Sequence, residues 1–253
     1  MRAGLLLLLV IGVLGPVRPA RAQAAAPAQP GIHLDVNLGQ ATRQQISSAL
    51  EIVVVLTLLT FLPAMLVSVT SFTRVVIVLS FVRRAMSMQE LPPTTVVIGL
   101  ALFLTGAIMY PVFDQVVDQA LGPYQRSEIE IAQAADRASA VLKEFLLAHT
   151  RESDIGLFLD LAKAAPPATR NDVPLRVAVP SFMLSELRTA FQMGFVIYLP
   201  FLVIDLLVSS MLISMGMMML PPVMISTPLK ILLFVMVDGW QLVIRSLAES
   251  FSS

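Results

Sequence analysis

Four stretches of about twenty residues, 49–69, 94–113, 191–213 and 223–244, are nearly free of charge and constrain this chain more than any motif in it. The first carries only Glu51 at its edge, the second no charge, the third Asp205 alone, and the fourth Lys230 and Asp238. An amphipathic surface helix of that length would show a charged face, whereas about 20 apolar residues in a helix cross the roughly 30 Å of bilayer hydrocarbon. Composition agrees: 57% of residues are hydrophobic and 13% charged, against about a quarter charged in soluble domains. The predicted fold class is all-α, with membrane-type helical hairpins. There is no cysteine, and the two histidines, His33 and His149, lie far apart, so neither a metal centre nor another cofactor is expected. A formal charge of zero excludes the basic footprint of a nucleic-acid binder.

Residues 1–22 have the layout of a cleavable signal peptide: Arg2, an apolar core over 5–14, Gly15-Pro16, then Ala20-Arg21-Ala22. This places the mature N-terminus outside the cytoplasm. Residues 23–45, rich in Ala, Pro and Gln, read as a disordered lead-in. Residues 46–113 form the first expected hairpin, in which Pro63 kinks a spanning helix without ending it. The apolar stretch 75–82 is too short to span, and Arg74, Arg83 and Arg84 around it fit the cytoplasmic stop signal of the positive-inside rule. Ala101 and Thr105, four apart, would let a neighbouring helix approach closely.

Residues 114–180 hold half of the charged residues in about a quarter of the length and are expected as a small helical periplasmic domain. Ser127-Glu-Ile-Glu130 matches a capping box. Ala138, Val141, Leu142, Phe145, Leu146 and His149 form one helical stripe, with His149 as its polar end and not a catalytic base. A second amphipathic helix over 154–164 is expected to turn Leu157, Phe158, Leu161 and Ala162 inward.

Residues 181–253 form the second expected hairpin, entered through a polar stripe of Ser185, Arg188 and Gln192 that suggests contact with protein. Asp205, Lys230 and Asp238 are ions in apolar surroundings and need a partner, a cavity or water; Asp238-Gly239 could instead mark a turn. Between the two apolar runs lies Met215-Gly-Met-Met-Met-Leu-Pro-Pro222, where Gly216 and the proline pair must break the helix. Met217, Met218 and Met219 side by side form either a Met-rich core turn, which residue physics alone favours, or a deformable plug around an axis.

Five blocks carry a family resemblance: Thr70-Ser-Phe-Thr-Arg-Val-Val-Ile-Val-Leu-Ser80, Gly99-Leu-Ala-Leu-Phe-Leu-Thr105, Ser185-Glu-Leu-Arg-Thr-Ala-Phe-Gln192, Gly216-Met-Met-Met-Leu-Pro-Pro222 and Val237-Asp-Gly-Trp-Gln241. In this order they resemble the flagellar branch of the FliP/SctR family of type III secretion export-gate proteins, over residues from about Ile46 to Ser253. The resemblance implies a channel subunit of the bacterial inner membrane and flagellar basal body. It implies a homo-oligomer, a pentamer, together with FliQ, FliR and other export-apparatus proteins, passing unfolded flagellar subunits. Met217, Met218 and Met219 then correspond to the gasket, and Glu186 and Lys230 to a salt bridge between neighbouring subunits. No enzyme motif is present: there is no HExxH, GxSxG or P-loop. The alternative is a small-solute transporter using Asp205 and Lys230.

Overall fold

The computed structural model describes residues 43–88, 92–217 and 219–251. The expected signal peptide, most of the lead-in and Met218 lie outside them. The chain divides into two compact units, residues 1–51 and 52–253, and the core lies in the second. Among the described residues all regular structure is helical. Three helical stretches are long and apolar enough to cross a membrane, at Leu50–Ser68, Thr94–Gln125 and Leu175–Ser214, and a bent pair at the C-terminal end could make a fourth.

Helix α1 (Arg43–Ser68) continues through Pro63, and its side chains from Leu50 to Leu66 are exposed wherever they are described. Helix α2 (Phe72–Ala85) has only 14 residues, about 21 Å at 1.5 Å per residue, too short to span. It is instead the centre of the core: Val75, Val78, Leu79 and Val82 recur at three and four and are all at or below 1% exposure. Helix α3 (Thr94–Val116) follows Pro92-Pro93 and packs a stripe of Val97, Ala101, Thr105 and Met109 inward. The small side chains at the middle of that stripe permit the close approach expected of them. The Thr105 hydroxyl donates to the Ala101 carbonyl (2.7 Å), so its burial leaves no unmet donor.

The expected end of this span at Phe113 is overrun. A π-helical stretch, Val117–Leu121, and the one-turn α4 (Gly122–Gln125) carry the helix on, because the i to i+5 pattern absorbs a change of register without a break. The Ser127–Glu130 capping box does not form. Ser127 has φ 59°, Glu128 pairs with Arg126, and Glu130 caps α5 (Ile131–Ala148) with no side-chain bond. A capping box is present instead at Thr169 and Asp172, around the 3₁₀ turn Arg170–Asp172.

Helix α5 buries Val141, Phe145 and Leu146 as its periodicity predicts. Helix α6 (Glu152–Leu161) is rotated from expectation: Asp154 and Ile155 are buried, whereas Leu157 and Leu161 are 46% and 68% exposed. Polar bonds made by Asp154 to the next long helix set that face. That helix, α7 (Leu175–Ser214), runs unbroken for 40 residues through Pro180 and Pro200, so it begins ahead of the expected start at 181. Helix α8 (Pro222–Met236) folds back beside it. A 62° bend leads into α9 (Gly239–Glu249). Asp238, expected as a buried ion, stands exposed at the bend in the left-handed conformation (φ 51°, ψ 54°). The turn reading of Asp238-Gly239 is the one realised.

Candidate functional site

One fully buried ion pair, a second in which Lys230 is buried but Asp205, expected as a buried ion, is 33% exposed, and a Met-rich hairpin tip are organised along α7. The first pair joins Arg74, in the first turn of α2, to Glu186; they are 4% and 0% exposed. The Arg74 Nε donates to Glu186 Oε2 (2.9 Å) and Nη2 to Oε1, a two-pronged pairing. The Arg74 Nη1 donates to the carbonyl and hydroxyl oxygens of Ser250, both at 2.9 Å. The guanidinium lies 3.7 Å from the centre of the Phe251 ring. His149 joins the same cluster: Nδ1 lies 2.9 Å from the Phe145 carbonyl oxygen and Nε2 lies 3.3 Å from that of Phe251. It is a structural end of the α5 stripe.

The second pair lies nineteen residues further along α7. Lys230 of α8, 1% exposed, donates to Asp205 Oδ2 (2.6 Å) and to the Ser87 hydroxyl (2.7 Å). Ser226, one turn before Lys230 on α8, donates to the other Asp205 oxygen (2.7 Å). Ser87 reaches this network from the turn after α2, where its φ is 58°. One network therefore ties α7, α8 and the end of α2 together, and every charge in it is answered.

A third polar cluster fastens the outer helices to α7. The Ser185 hydroxyl donates to Asp154 Oδ2 (2.6 Å) and accepts from the Arg151 backbone N–H (3.0 Å). Arg188 pairs with the other Asp154 oxygen at 3.2 Å, and the Arg151 guanidinium donates to Thr189 and to Gln192 (2.7 Å). The polar stripe Ser185, Arg188 and Gln192 thus meets protein within its own chain. Asp154 and Arg151 were missed as its partners; their signal was the charge-dense stretch directly after the α5 stripe. Farther out, the Thr169 hydroxyl, and then its backbone N–H, hold the Asp172 carboxyl below the usual carboxylate range. A depressed native pKa means that this cap supports the fold at neutral pH and fades as pH falls through the lowered value.

The hairpin tip begins where α7 ends. Gly216 sits at φ 75°, the Met217 N–H bonds to the Leu212 carbonyl and the Gly216 N–H to that of Ile213, both at 3.0 Å. This is a Schellman termination, in which glycine takes the left-handed position. Beyond it Met217 is half-buried and Met219 is 97% exposed. Beneath the tip an apolar cleft of about 450 Å³ opens between α7 and α8, lined among others by Val208, Leu212, Met217 and Ile225. Among the described residues no group of three or more His, Cys, Asp or Glu side chains could hold a metal.

The family model that matches this chain is described as the FliP family and covers residues 55–247. The chain belongs to the FliP family. The FliP match starts inside α1 and ends inside α9, so it takes in both ion pairs and the hairpin tip. Relatives named flagellar biosynthetic protein FliP include one from Bacillus subtilis, 50% identical over 82% of this chain and 94% of its own length. One from Caulobacter vibrioides is 43% identical over 96% of this chain and 90% of its own, and one from Aquifex aeolicus is 43% identical over 88% and 92%. Of the residues to which the FliP resemblance gave roles, Glu186 and Lys230 each have a counter-ion within the chain, and Asp205 is the partner of Lys230.

Proposed function

We propose that this chain is a channel-forming subunit of the flagellar type III protein export gate in the bacterial inner membrane. Several copies, a pentamer by the family likeness, assemble with FliQ and FliR and pass unfolded flagellar proteins, with the mature N-terminus and residues 114–180 on the periplasmic side. The observation that carries this reading is the match to flagellar biosynthetic proteins FliP along most of the chain. Met217, Met218 and Met219 form the gasket. In support, Met219 is held out at a hairpin tip by a fixed helix termination, and flexible thioether chains reshape around whatever passes. Assembly is supported by apolar surface that one chain leaves uncovered, such as Phe191, Phe195, Leu206 and Val235, each more than half exposed. In a Glu186–Lys230 bridge between copies, each residue would share or exchange the partner it has within the chain. A small-solute transporter built on Asp205 and Lys230 is less favoured, because those charges neutralise each other and Ser226 occupies the remaining carboxylate oxygen.

The native mass of the chain extracted in mild detergent, with and without FliQ and FliR, tests the proposal. A defined ring that gains mass with both is expected. A stable monomer or dimer that ignores both would overturn it.

A further inference from the structure

At the C-terminal end of α2 a cleft of about 410 Å³ is lined by Arg83, Arg84, Ser87, Met88 and Val223. We propose that it binds the phosphate headgroup of an anionic phospholipid, one per chain. Basic residues in the last turn of a helix ordinarily answer that helix's own carbonyls. Arg83 does not: its Nη1 turns away to the Thr94 hydroxyl at 3.0 Å and the Pro92 carbonyl at 3.5 Å, at the start of α3. Those bonds occupy Nη1 and, among the described residues, leave Nε and Nη2 for a ligand. Arg84 is exposed beside it, and among the described residues neither arginine is in an ion pair. Lys230 is already balanced by Asp205, so among the described residues the uncompensated charge at the cleft is that of the two arginines. Guanidinium groups match phosphate oxygens in a two-pronged geometry.

Ser87 adds a donor. Its oxygen accepts from the Lys230 ammonium, so its own proton is directed elsewhere and is polarised by that charge. The other walls are apolar, Met88 and Val223, and the helices that leave the cleft carry exposed Val96, Met224 and Ile225. A soluble phosphate gains nothing from such surface, whereas the glycerol and acyl chains of a lipid cover it. Basic clefts between membrane helices hold lipid headgroups by this combination. The assignment depends on the membrane-helix reading and is independent of the channel reading.

The test uses the full-length chain in mild detergent, titrated with dioleoylphosphatidylglycerol or dioleoylphosphatidylcholine and followed by native mass spectrometry and thermal unfolding. Saturable retention of one phosphatidylglycerol per chain and a raised unfolding midpoint are expected, with phosphatidylcholine giving neither. Arg84→Gln, at an exposed side chain that folding does not need, should weaken retention about tenfold, in line with one charge-assisted contact. Arg83→Gln with Arg84→Gln should abolish it. Arg126→Gln, the same charge loss in the outer domain, should change nothing. Equal retention by the double variant, or equal retention of phosphatidylcholine, overturns the site. A midpoint shift produced equally by inorganic phosphate overturns the lipid assignment in favour of a soluble anion.

Discussion

Arg74 has each of its three guanidinium nitrogens engaged, by Glu186 and by Ser250, directly after α9. Removing it leaves a fully buried carboxylate without its counter-ion, so Arg74→Ala should cost about 3–5 kcal/mol. Arg74→Met combined with Glu186→Leu should recover much of that loss. Thermal unfolding of the parent, Arg74→Met, Glu186→Leu and the double variant as a double-mutant cycle reads the coupling, and strictly additive losses would mean that the pair does not act as one unit. The sequence marked Asp205, Lys230 and Asp238 as charges in need of a partner, a cavity or water, because isolated ions among apolar residues are costly, and singled out Glu186 only through the family resemblance. It could not assign the partners within the chain. Arg74 and Glu186 are 112 positions apart, and only the packing of α2 against α7 brings them together. Residue periodicity likewise could not foresee that Asp154 would turn inward and leave Leu157 and Leu161 exposed, since a buried carboxylate is allowed only by the hydroxyl and guanidinium waiting on α7.

Among the elements, α2 and α7 share the most extensive contact. A Cβ added at Gly194 of α7 would lie 2.5 Å from two ring carbons of Phe81 on α2, and Phe81 is itself held edge-on to Phe191 at 5.4 Å. Gly194→Ala should therefore push the helices apart and cost about 1–3 kcal/mol, visible as a lower unfolding midpoint. Trimming the opposing ring with Phe81→Leu should restore part of it, and an unchanged midpoint in Gly194→Ala would refute this account of the packing. Elements with a strong one-sided pattern were legible in advance: the four-residue spacing of Ala101 and Thr105 on α3 and the α5 stripe both face the core. Helix ends were less legible. Ser127 to Glu130 has the residues of a capping box, yet the preceding Arg126 captures Glu128 and the turn closes differently. Pro180 and Pro200 both lie inside α7, which runs on through them as apolar membrane-type helices tolerate.

At the scale of the whole molecule, the apolar exterior and the tip dominate. Replacing Met217, Met218 and Met219 together with alanine trims the half-buried Met217 and the exposed Met219 and should alter the folding stability of a single chain by no more than about 1 kcal/mol. In the assembled complex the same change should make the membrane leaky to ions and small solutes, measured as flux in cells or vesicles. A variant that assembles fully and leaks no more than the parent would count against the gasket. That Met219 is exposed in one chain agrees with the plug reading, but no periodicity could have indicated an axis, because an axis belongs to several copies. The length of α7 has a consequence of its own. At 1.5 Å per residue its 40 residues reach about 60 Å, twice the roughly 30 Å of hydrocarbon, so a straight crossing leaves about half the rod standing in water or in other protein. From Glu186 to Asp205 along the same rod is about 28 Å, close to one hydrocarbon thickness. The two ion pairs are thus spaced like marks on a gauge, and a bilayer seated between them would leave each pair at a water boundary.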